Sequence, residues 1–487
     1  MSWETVIGLE VHVQLSTKTK IFSSASTKFG SEPNSQANII DLALPGTLPV
    51  LNEDALHYAI MFGLAIDAEI CKESVFERKN YFYPDLPKGY QTTQLEKPIV
   101  GRGKVVIELA DSRKKDIGIH HAHLEEDAGK SIHSEHSRDG YSLLDLNRAG
   151  TPLIEIVSDP DMRNSREAVA FAKKLYSIVT AIGICDGEMS QGSMRFDVNV
   201  SVRPTGSNEL GTRTETKNLN SFKFMEDAIN YEVDRQIRVI EDGGEIRQET
   251  RLYNGLTRKS QPMRSKEEAN DYRYFPCPDL LPVIVSDELI EQLKKSVPEL
   301  PDNKKQRFMD VYELSEYDSN ALVDNAAISN FFEDCIKLLD SPKIIANWIL
   351  GEITSKLNQE NITFENIPIS SADLTGLLAR VSDKTVSNKI AKEVFDSIWL
   401  GEGDADFIIE KKGLSQISDD GFLDKLVAEV IDSNPNMLED YIKTESSKRK
   451  KKLGGFMGQI MKKSKGQANP QQANEILLRQ IQEILEK

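Results

Sequence analysis

Between Ile7 and Leu15 the chain alternates without a fault. Ile7, Leu9, Val11, Val13 and Leu15 fall on one side, and Glu10, His12 and Gln14 on the other. A period of two belongs to a β-strand, and an unbroken aliphatic side must be buried. The chain therefore carries a sheet with one face in a core and an acid, an imidazole and an amide on the opposite face. The same phase returns at Met194–Val202, where Phe196, Val198 and Val200 point one way and Arg195, Asp197, Asn199 and Ser201 the other. Shorter strands are predicted at Val105–Leu109, Ile117–Leu124, Leu153–Val157 and Arg213–Lys217. Asn164 and Glu167 mark a helix start, and Phe171, Leu175, Ile178 and Ile182 repeat at helical spacing before Gly183. A second helix follows Asn220. This block reads as an α+β domain built on antiparallel sheet.

At 487 residues the chain has room for about three domains. Pro276, Pro278, Pro282, Pro298 and Pro301 punctuate the exit from the first, predicted to span 1–295. Helical periodicity then takes over, with helices expected at Ala327–Leu339, Ile344–Leu357 and Asp373–Ala379, giving an all-helical domain at 296–410. A small helical tail domain is expected at 411–487. Its first helix would start at Ser418, Asp419 and Asp420 with a Phe422, Leu426, Val430 stripe; its last would start at Asn469–Pro470 with Ala473, Leu477 and Ile481 inward. Cys71, Cys185, Cys277 and Cys335 lie too far apart for a disulfide scaffold or zinc ribbon. The longest apolar run, Tyr58–Ile66, is far short of a membrane span, and no targeting peptide is visible before the first strand. The expected protein has no membrane contact and is cytoplasmic.

The polar face carries the chemistry. Glu10 and His12 leave one face of one strand, and alone they are equally the solvated side of a sheet. More carboxylate on other strands argues for a site. Glu125, Glu126 and Asp127 end the run from His121, Glu155 is bracketed by Ile154 and Ile156, and Asp197 lies between Phe196 and Val198. Carboxylates with one imidazole, projected from several strands, suit Mg²⁺ held together with nucleotide phosphates. Zinc is disfavoured, because His120, His121, His123, His133 and His136 form no ligand spacing with cysteine. Gly129-Lys-Ser131 imitates a P-loop, but Leu124 stands where the first glycine belongs, so an ATP site must be of another design. Arg78–Gln91 mixes aromatic residues, prolines and two lysines without periodicity. It reads as a structured binding loop offering Lys79 and Lys88 to phosphate.

The formal charge of −17 argues against generic nucleic-acid binding over the whole surface. Its distribution says more. Lys443, Lys448, Arg449, Lys450, Lys451, Lys452, Lys462, Lys463 and Lys465 face a single acid, Glu445, between 443 and 467. That local excess is read as a footprint for a phosphate backbone.

Several runs together carry a specific likeness: Ile7–Leu15, Arg78–Gln91, His123–Lys130, Leu146–Glu155, Gly192–Asn199, Lys217–Ser221, Asp271–Phe275 and the tail run from Gly458 to Pro470. Over essentially its whole length the chain resembles the B-subunit family of the aspartyl/glutamyl-tRNA(Asn/Gln) amidotransferases. The resemblance implies an N-terminal cradle of aminoacyl-tRNA kinase type, a helical domain and a tail that grips tRNA. It implies a ligase that uses ATP to phosphorylate the side-chain carboxylate of Glu on tRNA(Gln) or Asp on tRNA(Asn). The amide would form with ammonia released from glutamine by an A subunit of amidase type, in a heterotrimer completed by a small C subunit. Carried onto matching positions, His12, Glu125 and Glu155 would be Mg²⁺ ligands. Glu10 and Asp197 would line the same site and hold a second cation, Lys79 would touch phosphate, and the basic tail residues would bind tRNA. Two other classes compete: a metal-dependent hydrolase using the same acids and histidine, and a non-catalytic tRNA-binding scaffold using the tail.

Overall fold

The computed structural model describes residues 2–109, 111–133, 142–263, 272–414, 420–444, 449–464 and 468–485. His136, Asp271, Ser418, Asp419, Glu445, Lys448 and Lys465 lie outside them. The chain divides into two compact units, Met1–Pro301 and Asp302–Lys487.

The first unit is α+β. Its main sheet has eight strands: β1 (Trp3–Gln14), β2 (Gly103–Glu108), β3 (Lys114–Glu126), β4 (Pro152–Ser158), β5 (Met194–Pro204), β6 (Thr214–Lys217), β7 (Thr250–Asn254) and β8 (Lys259–Pro262). They lie in the order β8-β7-β6-β5-β1-β4-β3-β2. Every neighbouring pair is antiparallel except β6 with β7. The alternation that predicts β1 and β5 holds: Ile7, Leu9, Val11, Val13, Phe196, Val198 and Val200 are all buried. Their face is covered by the helices Glu53–Ala65, Ser165–Ala181 and Phe222–Glu241, which bury Phe62, Phe171, Leu175 and Met225 in one continuous core. Asn164 caps the second of these helices by accepting from Glu167 N at 3.0 Å. Glu167 reaches back to Arg163 N at 2.8 Å, one residue before the cap.

One strand departs from simple alternation. Ile117 and Ile119 face the core early in β3, but Ala122 and Leu124 do so later. The pairing with β4 slips between Ile119 and His121, and this bulge reverses the phase. Without it His121, His123 and Glu125 would point into the core.

The segment before the first helix is pinned by a buried ion pair. Lys20 Nζ lies 3.1 Å from Asp41 Oδ2 and donates to Leu146 O at 3.2 Å, and Ser23 donates to the same carboxylate. Gly150 allows this approach. It has φ of +82°, and a Cβ there would stand 2.8 Å from Asp41 Oδ1.

The second unit is helical with two separate apolar clusters. The first gathers Phe308, Phe332, Trp348, Leu377, Phe395 and Trp399. The helix expected at Ile344–Leu357 is interrupted: Pro342–Trp348 and Thr354–Glu360 flank a π-helical turn at Ile349–Ile353, where Thr354 Oγ1 donates to Ile349 O at 2.9 Å. The second cluster joins Asp420–Asp432, Pro435–Lys443, Arg449–Lys463 and Pro470–Leu485 through Leu423, Val427, Phe456 and Leu477. Leu426 and Val430 are buried as expected, but Phe422 is 46% exposed. The inward stripe runs through Leu423 instead, one position along. Among the described residues no helix is long and apolar enough to cross a membrane.

Candidate functional site

Sheet register assembles the site. Across β4, β1 and β5, Glu155, His12 and Arg195 stand opposite one another, and Glu10 stands opposite Asp197. On the other side of β4, His123 of β3 also stands opposite Glu155. Since β1 buries its aliphatic face, all these polar groups emerge on the opposite one.

They form two adjoining groups. In the first, ligand atoms of His12, Glu125 and Glu155 all lie within 4.8 Å of one another; in the second, those of Glu10, Asp197 and Glu215 do. His12 links them, with Nε2 3.3 Å from Glu155 Oε2 and Nδ1 4.0 Å from Asp197 Oδ2. His123 Nε2 lies 3.3 Å from Glu155 and 3.9 Å from Glu125. Gln91 Nε2 donates to Glu125 at 2.9 Å, and Lys79 Nζ approaches the same carboxylate at 3.9 Å. In the second group Lys217 Nζ lies 2.5 Å from Asp197 and 3.0 Å from Glu215, and Asn199 donates to Glu10 at 3.0 Å.

The electrostatics follow from packing like charges in a poorly hydrated place. Burial, reinforced by Glu155 and Glu215, raises the carboxyl of Glu10. At Glu155 burial is outweighed by His123 and His12, which hold it well below the usual carboxylate range. Glu125 is likewise lowered against burial, by Lys79 and His123. In return burial is overcome at His123, which Glu155 and Glu125 raise to about 9, and at His12, which Glu155 raises. Lys79 is also raised, since Glu125 and Glu155 outweigh its burial. The carboxylates of Glu125 and Glu155 and the cationic forms of the imidazole and ammonium groups beside them thus favour one another. A divalent cation fits the same donor set, with oxygens and one imidazole on rigid strands, and its binding would displace the imidazole's proton.

The structure brings together Glu10, His12, Glu125, Glu155, Asp197 and Lys79. It places Lys79 on a strand, Glu77–Asn80, paired with Tyr90–Thr93 and Phe275–Pro276. The ends of the supposed irregular loop are therefore sheet, and only its tip is a turn. Lys88 is not among the two groups; it pairs with Glu126, whose carboxylate also accepts from Thr92 N at 2.7 Å. In the tail, Lys443, Lys452 and Lys463 pair with Glu439, Asp440 and Glu429. Arg449 donates to the carbonyls of Thr444 and Ile442. Lys450, Lys451 and Lys462 lie on the same helix, Arg449–Lys463.

Sequence reasoning missed His123, Glu215 and Lys217 as members of the site. Lys217 and Glu215 were readable from their two-residue spacing on a predicted strand. His123 was hidden by the bulge, which no alternation pattern announces.

The chain thus joins an acidic, imidazole-bearing sheet face in an α+β unit to a helical unit that follows it. One family model, described as the GatB/GatE catalytic domain, matches residues 5–291, and another, described as the GatB domain, matches 330–481. Over 99% of its length the chain is 64% identical to the B subunit of the aspartyl/glutamyl-tRNA(Asn/Gln) amidotransferase from Saccharophagus degradans, covering 100% of that protein. The corresponding figures are 62%, 99% and 100% for the protein of that name from Teredinibacter turnerae, and 54%, 99% and 100% for that from Pseudomonas aeruginosa. The chain belongs to the B-subunit family of the aspartyl/glutamyl-tRNA(Asn/Gln) amidotransferases.

Proposed function

We propose that this chain is the ATP-using component of a glutamine-dependent tRNA amidotransferase, working in the cytoplasm in a heterotrimer with an A subunit of amidase type and a small C subunit. It phosphorylates the side-chain carboxylate of Glu-tRNA(Gln) or Asp-tRNA(Asn), and ammonia then displaces the phosphate to give the amide. The observation that carries this reading is the pair of adjoining donor groups on one rigid sheet face, with Lys79 at their margin.

The chemistry explains why such a face is needed. A carboxylate resists ammonia because its leaving group would be oxide, whereas phosphorylation makes that oxygen a good leaving group. Transfer of the phosphoryl group needs positioning and compensation of charge more than covalent help. His12, Glu125 and Glu155 would hold one Mg²⁺, and Glu10 and Asp197, with Glu215, a second. Mg²⁺ bound there supplies charge neutralisation on phosphoryl oxygens. Gln91 and His123 keep Glu125 and Glu155 aimed and ionised. Lys79, on its own strand, meets the transferring phosphate. Residues 411–487 hold tRNA through the basic residues of the helix Arg449–Lys463 and its flanks.

The test uses the reassembled complex with Glu-tRNA(Gln) and ammonium chloride as nitrogen source. The expected result is ADP and phosphate formed one for one with Gln-tRNA(Gln). Amide formed without ATP, or none with the full heterotrimer present, refutes it.

A further inference from the structure

Arg195 stands opposite His12 in the pairing of β1 with β5 and shares its face. One arm is fixed, Nη2 donating to Asp127 Oδ2 at 2.9 Å. Its remaining donors have no acceptor among the described residues, and the side chain stays 32% exposed. Asp127 is a stiff anchor. It is buried, its carboxylate accepts from Gln14 Nε2 at 3.1 Å, and its backbone bonds Thr151 and Gly150 at 2.9 Å each. Arg148 adds a second cation 3.7 Å from the same carboxylate, but its own Nε and Nη2 are committed to Ala128 O and Gly129 O. One carboxylate thus faces two guanidinium groups, with Asp197 and Glu125 acting on Arg195 from further off. A guanidinium tethered by one arm presents a planar fork at a set angle, the geometry that receives two oxygens of one anion.

We propose that Arg195 binds an oxyanion of the reactants, either the phosphoryl group of ATP or the carboxylate that receives it, beside the two donor groups. This rests on the ATP-dependent reading above. It adds a substrate-holding residue that neither the acids nor Lys79 supplies.

The test compares Arg195→Lys, which keeps charge but loses the fork, and Arg195→Gln with the unaltered chain in the complete complex. KM for ATP, KM for Glu-tRNA(Gln) and kcat are measured with ammonium chloride, and ATP binding without tRNA by equilibrium dialysis. Both variants are expected to lose about 10- to 100-fold in kcat/KM, as removal of hydrogen bonds to a charged partner does. A loss in ATP binding or in the KM for ATP assigns the phosphoryl group, one confined to the KM for Glu-tRNA(Gln) assigns the carboxylate, and one confined to kcat supports an oxyanion contact made in the transition state at either. Unchanged constants, or full activity with lysine, overturn the proposal. A wild-type complex that makes amide without ATP would overturn the underlying reading instead.

Discussion

Lys20 holds its ammonium inside the first unit, 1% exposed, and among the described residues Asp41 is its only charged partner within bonding distance. Removing that partner strands a cation in a place where burial already lowers its pKa. Asp41→Ala is therefore expected to cost about 3–5 kcal/mol, the range for breaking a buried pair from one side, read as a lower urea midpoint. In the site itself, His123 touches both Glu155 and Glu125 without belonging to either donor group. His123→Ala should lower amidation or Mg²⁺ affinity by about 10- to 100-fold, as loss of a ligand's supporting partner does. Titration of activity against Mg²⁺ would show it, and an unchanged curve would remove His123 from the site. At this scale the sequence was informative about residues on plain strands and silent about contacts made by folding. Glu10, His12, Glu155 and Asp197 were readable because their neighbours alternate. The Lys20–Asp41 pair was not, because nothing local marks a lysine that will be buried.

Elements position these residues, and their ends matter most. The helix Ser165–Ala181 covers β1 and β2, and its start depends on Asn164. Asn164→Ala should destabilise the unit by about 1 kcal/mol, seen as a lower melting temperature with kinetic constants unchanged at about 25 °C. A loss of activity without loss of stability would show that the cap has another role. The cap was legible from Asn164 and Glu167, although Glu167 bonds Arg163 N and Lys115 and does not close the box on Asn164. The β3 bulge was not legible, since either phase of Ile117–Leu124 reads as a strand. The π turn at Ile349–Ile353 was equally hidden, because one extra residue hardly disturbs helical periodicity over so short a span.

For the molecule as a whole, the two apolar clusters of the helical unit share no residue. A chain ending after Leu414 should therefore keep the first unit's thermal transition while losing most of its affinity for tRNA, checked by filter binding. Unchanged affinity would reject the tail's role. Charge distribution suggests that role, yet folding changes its weight. Lys443, Lys452 and Lys463 are partly neutralised by Glu439, Asp440 and Glu429, so fewer free cations face outward than the composition of 443–467 implies. The activity proposed for this chain is activation of a carboxylate on tRNA by phosphorylation. The direct measurement follows ¹⁸O from the side-chain carboxylate of Glu-tRNA(Gln) during amidation by the complete complex. Phosphorylation predicts one ¹⁸O in the inorganic phosphate for each amide formed. Label in AMP, or none in phosphate, would contradict it.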